Sequence, residues 1–234
     1  MVDYKRVAKL ASTALILGSV VVAMAACSGG SRVRKPAELV PVSNQFDLAP
    51  VWSTSVGSSE SFNFHPAVAG DTVYAASHRG NLVKIDMMTG NKVWEVSVPD
   101  RLSIGPGSDG RTTAVVTTKG TVYAYDDTGK PIWNVSVGSE VLSEPVVAGG
   151  VVIIRALDNR FIGFDAQTGA RKWTYQRQQS ALSLRVGYGM LAIGNEVIVT
   201  GFSGGRFGMI AIANGVSYGK RRCPSLKVFL KSSV

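Results

Sequence analysis

The segment Thr89-Gly90-Asn91-Lys92-Val93-Trp94 is the first of three copies of the phrase Thr-Gly-x-x-x-Trp, which returns at residues 128–133 and 168–173. All four tryptophans of the 234-residue chain, beginning with Trp52, follow one another at spacings of 42, 39 and 40 residues. A period near 40 residues with one aromatic per unit is typical of the four-stranded blades of a β-propeller. The repeat therefore predicts an all-β fold of antiparallel blades.

Other positions recur with the same period. A proline opens each unit, an aspartate precedes each Thr-Gly pair, and a residue that tolerates positive φ stands six positions before the aspartate. In chain order these residues are Pro66, Pro106 and Pro145; Asp86, Asp126 and Asp165; and Gly80, Gly120 and Asn159. Because Asp caps backbone groups in tight turns, we expect the three aspartates to be structural and not catalytic.

Alternation of apolar residues predicts four strands in each unit, and no segment has a convincing helical pattern. In the outer strand of the first unit, Trp94, Val96 and Val98 share one side. The predicted strands are residues 67–68, 72–77, 81–87 and 92–98 in the first unit, 114–117, 121–125 and 132–137 in the second, and 151–154, 161–164 and 172–175 in the third.

The ends of the repeat array are incomplete. Residues 51–56, around Trp52, copy an outer strand that has no preceding three strands, which predicts a closing strand for a last blade. A fourth unit begins near Ala181, but Gly219 stands where its tryptophan is expected, and the periodicity stops from Val216 onward. We therefore predict a partial propeller of about 3.75 blades over residues 49–215. A non-homologous basic tail over residues 216–234 would then belong to a chain that is truncated or frameshifted after about residue 215.

The N-terminus resembles an export signal. Basic residues precede a mostly apolar stretch over residues 10–26, and Ala25-Ala26 stand directly before Cys27. The segment Met24-Ala25-Ala26-Cys27 resembles the lipobox of bacterial lipoproteins, in which the cysteine is acylated, although Met24 stands where that family usually has leucine. The prediction is a signal peptide over residues 1–26, lipidation at Cys27 and a tether over residues 27–48; an uncleaved anchor or an ordinary signal peptide is the alternative.

The net charge of +9 is distributed unevenly along the chain. Residues 216–234 contain five basic residues and no acidic one, and the signal region adds two further net charges. The charges of the predicted propeller are therefore nearly balanced. This argues against a basic nucleic-acid-binding face and predicts no nucleic-acid partner.

The units resemble the PQQ-like propeller repeat. More narrowly, the motifs Val51-Trp52-Ser53-Thr54-Ser55-Val56-Gly57, His65-Pro66-Ala67 and Leu182-Ser183-Leu184-Arg185, together with Cys27, resemble the BamB (YfgL) family of lipoproteins. The resemblance implies an eight-bladed propeller on the periplasmic face of the outer membrane. It also implies a non-enzymatic scaffold that binds the POTRA domains of BamA within the barrel-assembly (BAM) complex, assists assembly of nascent outer-membrane proteins and needs no cofactor.

The same resemblance assigns partner binding to Leu182, Leu184 and Arg185. Two leucines and an arginine on a loop between blades would supply apolar anchors and a fork-shaped donor. The alternative is that Leu182 and Leu184 form the inward face of the fourth unit's first strand. The family often has acidic residues in the following hairpin loop, whereas residues 201–205 contain none.

Two rival functions follow from the same repeat. A quinone-dependent dehydrogenase shares the propeller, but it requires a carboxylate-rich Ca²⁺ site and a catalytic base around a planar cofactor. His65 and His78 fall in one unit without a cysteine or acidic cluster nearby, which disfavours a metal site. A general periplasmic scaffold that binds unfolded clients by strand addition is the second rival.

Overall fold

The computed structural model describes residues 49–141, 143–176, 189–202 and 206–222. These residues form sixteen strands in four antiparallel sheets of four strands each, and all of them lie in the unit Pro50–Val234. We name the sheets blades one to four in chain order. Within these residues, no helix has the length and apolar character needed to cross a membrane. The prediction of a partial β-propeller is confirmed.

Every blade runs from an inner to an outer strand in chain order. Blade one comprises β1 (Ala67–Ala69), β2 (Thr72–Ala76), β3 (Asn81–Asp86) and β4 (Lys92–Ser97). Blade two comprises β5 (Gly107–Ser108), β6 (Thr113–Val116), β7 (Thr121–Tyr125) and β8 (Pro131–Ser136). Blade three comprises β9 (Val146–Ala148), β10 (Val151–Arg155), β11 (Arg160–Asp165) and β12 (Arg171–Gln176). Blade four comprises β13 (Met190–Ile193), β14 (Val197–Phe202), β15 (Arg206–Ala211) and β16 (Ser217–Arg222).

The repeated turn residues adopt the backbone conformation that the sequence predicts. In the hairpins that join the second and third strands, φ is +92° at Gly80, +74° at Gly120 and +62° at Asn159. Only glycine and a few short polar residues adopt this left-handed conformation at low cost. The inner strands of the first three blades begin directly after Pro66, Pro106 and Pro145, as predicted.

The hydrophobic core lies between neighbouring blades. Leu82 of blade one packs in a cluster with Val115 and Tyr125 of blade two. Two corresponding clusters join blade two to blade three and blade three to blade four. Each interior blade is therefore buried on both faces, and β6 and β10 are buried along their full length.

Blade four differs from the prediction because it has an outer strand. β16 pairs with β15, with Phe207 opposite Arg221 and Ile210 opposite Ser217. The prediction of only three strands in this blade was wrong. A backbone hydrogen-bond ladder requires no tryptophan and no apolar alternation, so a strand that lacks the repeat phrase can still form at the edge of a sheet.

The predicted closing strand is the second correction. Residues 51–56 form no strand, and each of the four sheets already has four strands. The backbone of this segment joins none of the four described sheets, and a segment without ladder hydrogen bonds is not a strand. Its tryptophan nevertheless has a defined position on blade one.

Candidate functional site

The tryptophans of the outer strands join successive blades. Trp94, Trp133 and Trp173 lie on β4, β8 and β12, as predicted. Each indole Nε1 donates a hydrogen bond to a backbone carbonyl in the turn between the third and fourth strands of the next blade, which contains Thr-Gly in blades two and three and Asn214-Gly215 in blade four. The acceptors are Asp127 at 2.9 Å, Ala166 at 2.9 Å and Ile212 at 2.8 Å. A register shift between the third and fourth strands follows directly after the residue paired with each tryptophan. Such bulges re-aim side chains, which explains why the rings point toward the next blade.

The glycine of each turn makes room for the incoming indole ring. A Cβ added to Gly169 would lie 2.7 Å from the Trp133 ring, and one added to Gly215 would lie 2.6 Å from the Trp173 ring. Both residues also have positive φ, +72° and +73°. The Thr-Gly pair and the tryptophan of the repeat phrase are therefore the two halves of one contact, each half contributed by a different blade.

Trp52 makes the same contact on blade one. Its Nε1 donates to the carbonyl of Met87 at 2.8 Å, and a Cβ on Gly90 would lie 2.6 Å from its ring. The hydroxyl of Thr54 donates to the carbonyl of Gly90 at 2.5 Å. The segment around Trp52 thus occupies the place that the outer strand of a preceding blade would take.

The repeated aspartates stabilise these turns. One carboxylate oxygen of Asp86 accepts hydrogen bonds from the backbone N–H groups of Met88 and Thr89 and from the Thr89 hydroxyl. Asp126 and Asp165 accept equivalent bonds in their own turns. Because these donors stabilise the charged form, the pKa of each carboxyl is lowered from its usual value. The structural role that the sequence predicts for them is confirmed.

The connections between blades lie at the end of the strands opposite the aspartate turns, together with the hairpins that join second and third strands. We call this end the connection rim. On it, Leu102 pairs with Thr117 and donates its N–H to His78, so the connection from blade one to blade two lies against the hairpins of both blades. Val141 pairs with Ala156 in the same way.

The connection from blade three to blade four is longer than the other two. The first two connections span nine residues each, 98–106 and 137–145, whereas the third spans thirteen, 177–189. Connections lie at the surface, where binding residues are most often found in a rigid scaffold. The longest connection contains Leu182, Leu184 and Arg185, which lie outside the described residues.

Both interpretations of Leu182 and Leu184 stay open, because these residues lie outside the described ranges. The inner strand of blade four that the structure describes is β13, which begins at Met190 and pairs with β14. Cys27 also lies outside the described residues, so its lipidation stays a prediction.

A buried polar network fixes the end of the long connection. The hydroxyl of Thr200, on β14, donates to the carbonyl of Gly189 at 3.1 Å. Arg155, at the end of β10, donates to Thr200 Oγ1 at 2.8 Å and to the Gly201 carbonyl at 2.9 Å. Its guanidinium also stacks 5.0 Å from the centre of the Phe161 ring. Charge and hydrogen bonds thus converge at the junction of blades three and four.

The repeat pattern did not predict the roles of Arg155 and Thr200. The signal was present, because Arg155 ends the otherwise apolar run Val151-Val152-Ile153-Ile154, and it is buried. A buried charged side chain requires partners, so an arginine at that position indicates a polar junction. The repeat alone could not show where those partners lie.

The two histidines have structural contacts. His65 Nδ1 lies 2.7 Å from Glu144 Oε1, a contact that links the start of blade one to the start of blade three. His78 is buried, with Nδ1 2.7 Å from the Leu102 carbonyl, and its ring stacks on Phe62. Within the described ranges, no three His, Cys, Asp or Glu side chains come together as a metal site would require.

Comparison with known proteins gives a consistent result. The profile of the family described as outer membrane protein assembly factor BamB matches residues 3–101 and 85–223. The chain is 40% identical over 193 residues to the BamB of Burkholderia pseudomallei, a match that covers 82% of this chain and 50% of that protein. It is 40% identical over 181 residues to the BamB of Bordetella pertussis, with coverage of 77% and 47%. The chain therefore spans about half the length of the curated relatives it matches.

Solved structures show the same relation. The crystal structure of BamB from Moraxella catarrhalis matches with a TM-score of 0.60 and 26% identity, over 68% of this chain and 48% of that one. A computationally designed protein, Ika8, matches with a TM-score of 0.54 at 16% identity, which shows the fold alone. The structure shows four stacked blades with one tryptophan contact between each successive pair. The family profile extends over most of the sequence. This chain therefore belongs to the family of outer membrane protein assembly factor BamB.

Proposed function

We propose that this chain is a non-enzymatic scaffold lipoprotein of the outer-membrane barrel-assembly machinery. In this proposal Cys27 is acylated and holds the protein on the periplasmic face of the outer membrane. The blades present the long connection of residues 177–189 to the POTRA domains of BamA. Bound there, the protein assists the assembly and insertion of barrel proteins.

The observation that carries the proposal is the length of the connection between blades three and four. Two equivalent connections need nine residues, so the third has four residues beyond what joining two blades requires. Those residues belong to a segment with Leu182, Leu184 and Arg185, which combines apolar anchors with a bidentate donor. The buried contacts of Arg155 and Thr200 provide a rigid base for it.

The described contacts also favour a scaffold over a dehydrogenase. The sequence offers three repeated aspartates as candidate cation ligands, Asp86, Asp126 and Asp165. Their carboxylates instead cap turns. They lie at the end of the blades opposite the connection rim, each in a different blade. A quinone cofactor with its Ca²⁺ ion needs several such groups around one point.

Co-purification from cells tests the proposal. Tagged chain should recover BamA from detergent extracts, and the variant with Leu182→Ala, Leu184→Ala and Arg185→Ala should not, while its far-UV circular dichroism stays unchanged. Arg101→Ala is the matched control, because it removes an exposed arginine from the equivalent connection between blades one and two. Equal recovery of BamA by the triple variant and the control would refute the assigned contact.

A further inference from the structure

A groove opens between β4 of blade one and the outer two strands of blade two. Its volume is about 380 Å³, which falls within the range of small-ligand sites, about 300–1,000 Å³. We call it the tyrosine groove and define it by six of the residues that line it, Val96, Pro99, Tyr123, Tyr125, Pro131 and Asn134. None of the described residues that line it is charged, so the groove suits a ligand without net charge.

The most buried of these six residues has a hydroxyl without a partner among the described residues. Tyr125 is 3% exposed, and no described residue forms a hydrogen bond with its hydroxyl. Burial raises the pKa of Tyr125 to about 12, so the hydroxyl keeps its proton near neutral pH and can donate it. Buried polar groups nearly always have a hydrogen-bond partner, so an acceptor is expected in the groove.

The repeat does not require this hydroxyl. The residue at the same position of the third strand is Ile85 in blade one, Phe164 in blade three and Ile210 in blade four. Phe164 is buried in the cluster between blades two and three, so a phenyl ring without the hydroxyl fits the same kind of interface. The Tyr125 hydroxyl is therefore particular to blade two among the four, at a position where the stacking of blades needs only an apolar side chain.

The equivalent groove between blades two and three has different chemistry. Arg160 and Arg171 line it, and its volume is smaller, about 230 Å³. Phe164 stands there in place of Tyr125. Of these two grooves, only the tyrosine groove combines an uncharged lining with a buried donor, which indicates a ligand that is apolar and carries a hydrogen-bond acceptor.

Tyr123 provides a second aromatic side chain in the tyrosine groove. Its hydroxyl donates to Asp100 Oδ2 at 3.3 Å, and Lys119 Nζ lies 2.9 Å from Asp100 Oδ1. These contacts restrict the Tyr123 ring to one orientation beside Tyr125, which lies two positions away on the same face of β7. Val96 of blade one packs in the same cluster as both tyrosines. The aromatic surface is therefore preformed, which reduces the cost of ordering it when a ligand binds.

A proline-rich extended segment has the chemistry that this groove requires. In the polyproline II conformation the backbone has no internal hydrogen bonds, so its carbonyl groups can accept one from Tyr125. Proline brings no backbone N–H that would need an acceptor in the groove. Its rings are apolar, and aromatic-lined grooves are common sites for such segments. An added β-strand would instead bind along the backbone edge of β8 and would not need the Tyr125 hydroxyl.

We propose that the tyrosine groove binds an uncharged, proline-rich segment of another protein. Tyr125 donates its hydroxyl to a backbone carbonyl of the segment, and proline rings pack on Tyr123 and between the exposed Pro99 and Pro131. The groove lies between blades one and two, whereas the proposed BamA contact lies between blades three and four. This binding site is therefore independent of the proposed function, and its ligand is tested separately from BamA recovery.

Peptide binding to the full 234-residue chain in mild detergent tests the proposal. The probe is a decaproline peptide with a fluorophore on its N-terminus and an amidated C-terminus, and binding is followed by fluorescence anisotropy. The peptide should bind saturably, and Tyr125→Phe should weaken binding by about 2- to 12-fold, which corresponds to one neutral hydrogen bond. Tyr175→Phe is the matched control and should leave the affinity unchanged, because it removes the hydroxyl of a half-buried tyrosine in blade three. A peptide of the same length and end groups built from glycine and serine should not bind.

Urea unfolding of the Tyr125→Phe variant without peptide separates binding from folding. Its midpoint should equal or exceed that of the unmodified chain, because the deleted hydroxyl has no internal partner to leave unpaired. A lower midpoint would reveal such a partner and overturn the proposal. So would equal affinity of Tyr125→Phe and the unmodified chain, or the absence of saturable decaproline binding, which leaves water as the partner of Tyr125. Comparable binding of the glycine-serine peptide would indicate strand addition and would also overturn it.

Discussion

Replacing Trp173 with alanine should uncouple blade four from blade three. Trp173 is the most buried of the tryptophans, at 8% exposure, and it packs in the cluster that joins these blades. A Cβ on Gly163 or Gly215 would lie within 2.6 Å of its ring, so both glycines shape the space it fills. Its loss leaves a large cavity in a close-packed interface.

The magnitude follows from two contributions. Truncation of a buried tryptophan to alanine costs about 3–5 kcal/mol of unfolding free energy. The buried carbonyl of Ile212 also loses its indole donor, which costs about 1–3 kcal/mol. We therefore expect Trp173→Ala to lower the free energy of unfolding by at least about 4 kcal/mol. A domain of ordinary stability has about 5–15 kcal/mol in total, so blade four is expected to open first.

Two comparison variants separate these contributions. Trp173→Phe removes the donor and part of the indole but keeps a buried phenyl ring. Its cost should lie between about 1–3 kcal/mol, the cost of the lost donor alone, and the cost of Trp173→Ala. Trp94→Ala should cost less than Trp173→Ala, because Trp94 is only half-buried. Urea unfolding followed by far-UV circular dichroism gives the free energies, and hydrogen exchange shows which blade opens. A change below about 1 kcal/mol for Trp173→Ala, or unchanged exchange in residues 189–222, would refute this explanation of blade stacking.

Three further outcomes are expected. Gly169→Ala should destabilise the chain by about 1–3 kcal/mol more than Gly138→Ala in urea unfolding, since both have similar positive φ but only Gly169 faces an indole ring; equal costs would contradict the contact. Folding lowers the pKa values of the three turn aspartates, so their contribution to the free energy of unfolding should be fully present above about pH 4 and should be lost as the pH falls further. The urea unfolding midpoint should depend less on pH when all three aspartates are replaced with asparagine. An unchanged dependence on pH would contradict the stabilising role of the carboxylates. Arg155→Met should lower the free energy of unfolding by about 2–3 kcal/mol and speed proteolysis within residues 177–189, because it removes the hydrogen bonds to Thr200 and Gly201. An unaltered cleavage rate would show that these hydrogen bonds do not stabilise the connection.

The repeat predicted the sheets well because its signals are local. β7 was predicted with its observed bounds, Thr121–Tyr125, and the positive φ at Asn159 followed from residue type and spacing. Backbone conformation in a hairpin depends on the few residues within it, which a single sequence displays.

The two errors arose where structure depends on a neighbour. β16 forms because β15 offers it an edge, although its sequence lacks the repeat phrase. Residues 51–56 have a strand-like sequence but form no strand, because they pair with none of the four described sheets. Periodicity shows what a segment is suited to form, and pairing depends on which edges are available.

The contact between tryptophan and turn was partly visible in the sequence. Its two halves stand four residues apart in the phrase, yet Trp133 contacts the turn at Gly169 and not the turn at Gly129. That displacement to the next blade requires the bulge and the stacking of blades, and neither has a signature within one unit. The assignment of partner binding to Leu182, Leu184 and Arg185 came from family resemblance and stays a prediction, because these residues lie outside the described ranges.

Direct binding between purified components tests the central claim that this chain is a scaffold for barrel assembly. Isothermal titration of the 234-residue chain with the purified POTRA domains of BamA should give saturable binding with one POTRA segment per chain. The same titration with the Leu182→Ala/Leu184→Ala/Arg185→Ala variant should give none. Absence of saturable binding by the unmodified chain, or equal affinity for the variant, would contradict the proposed function.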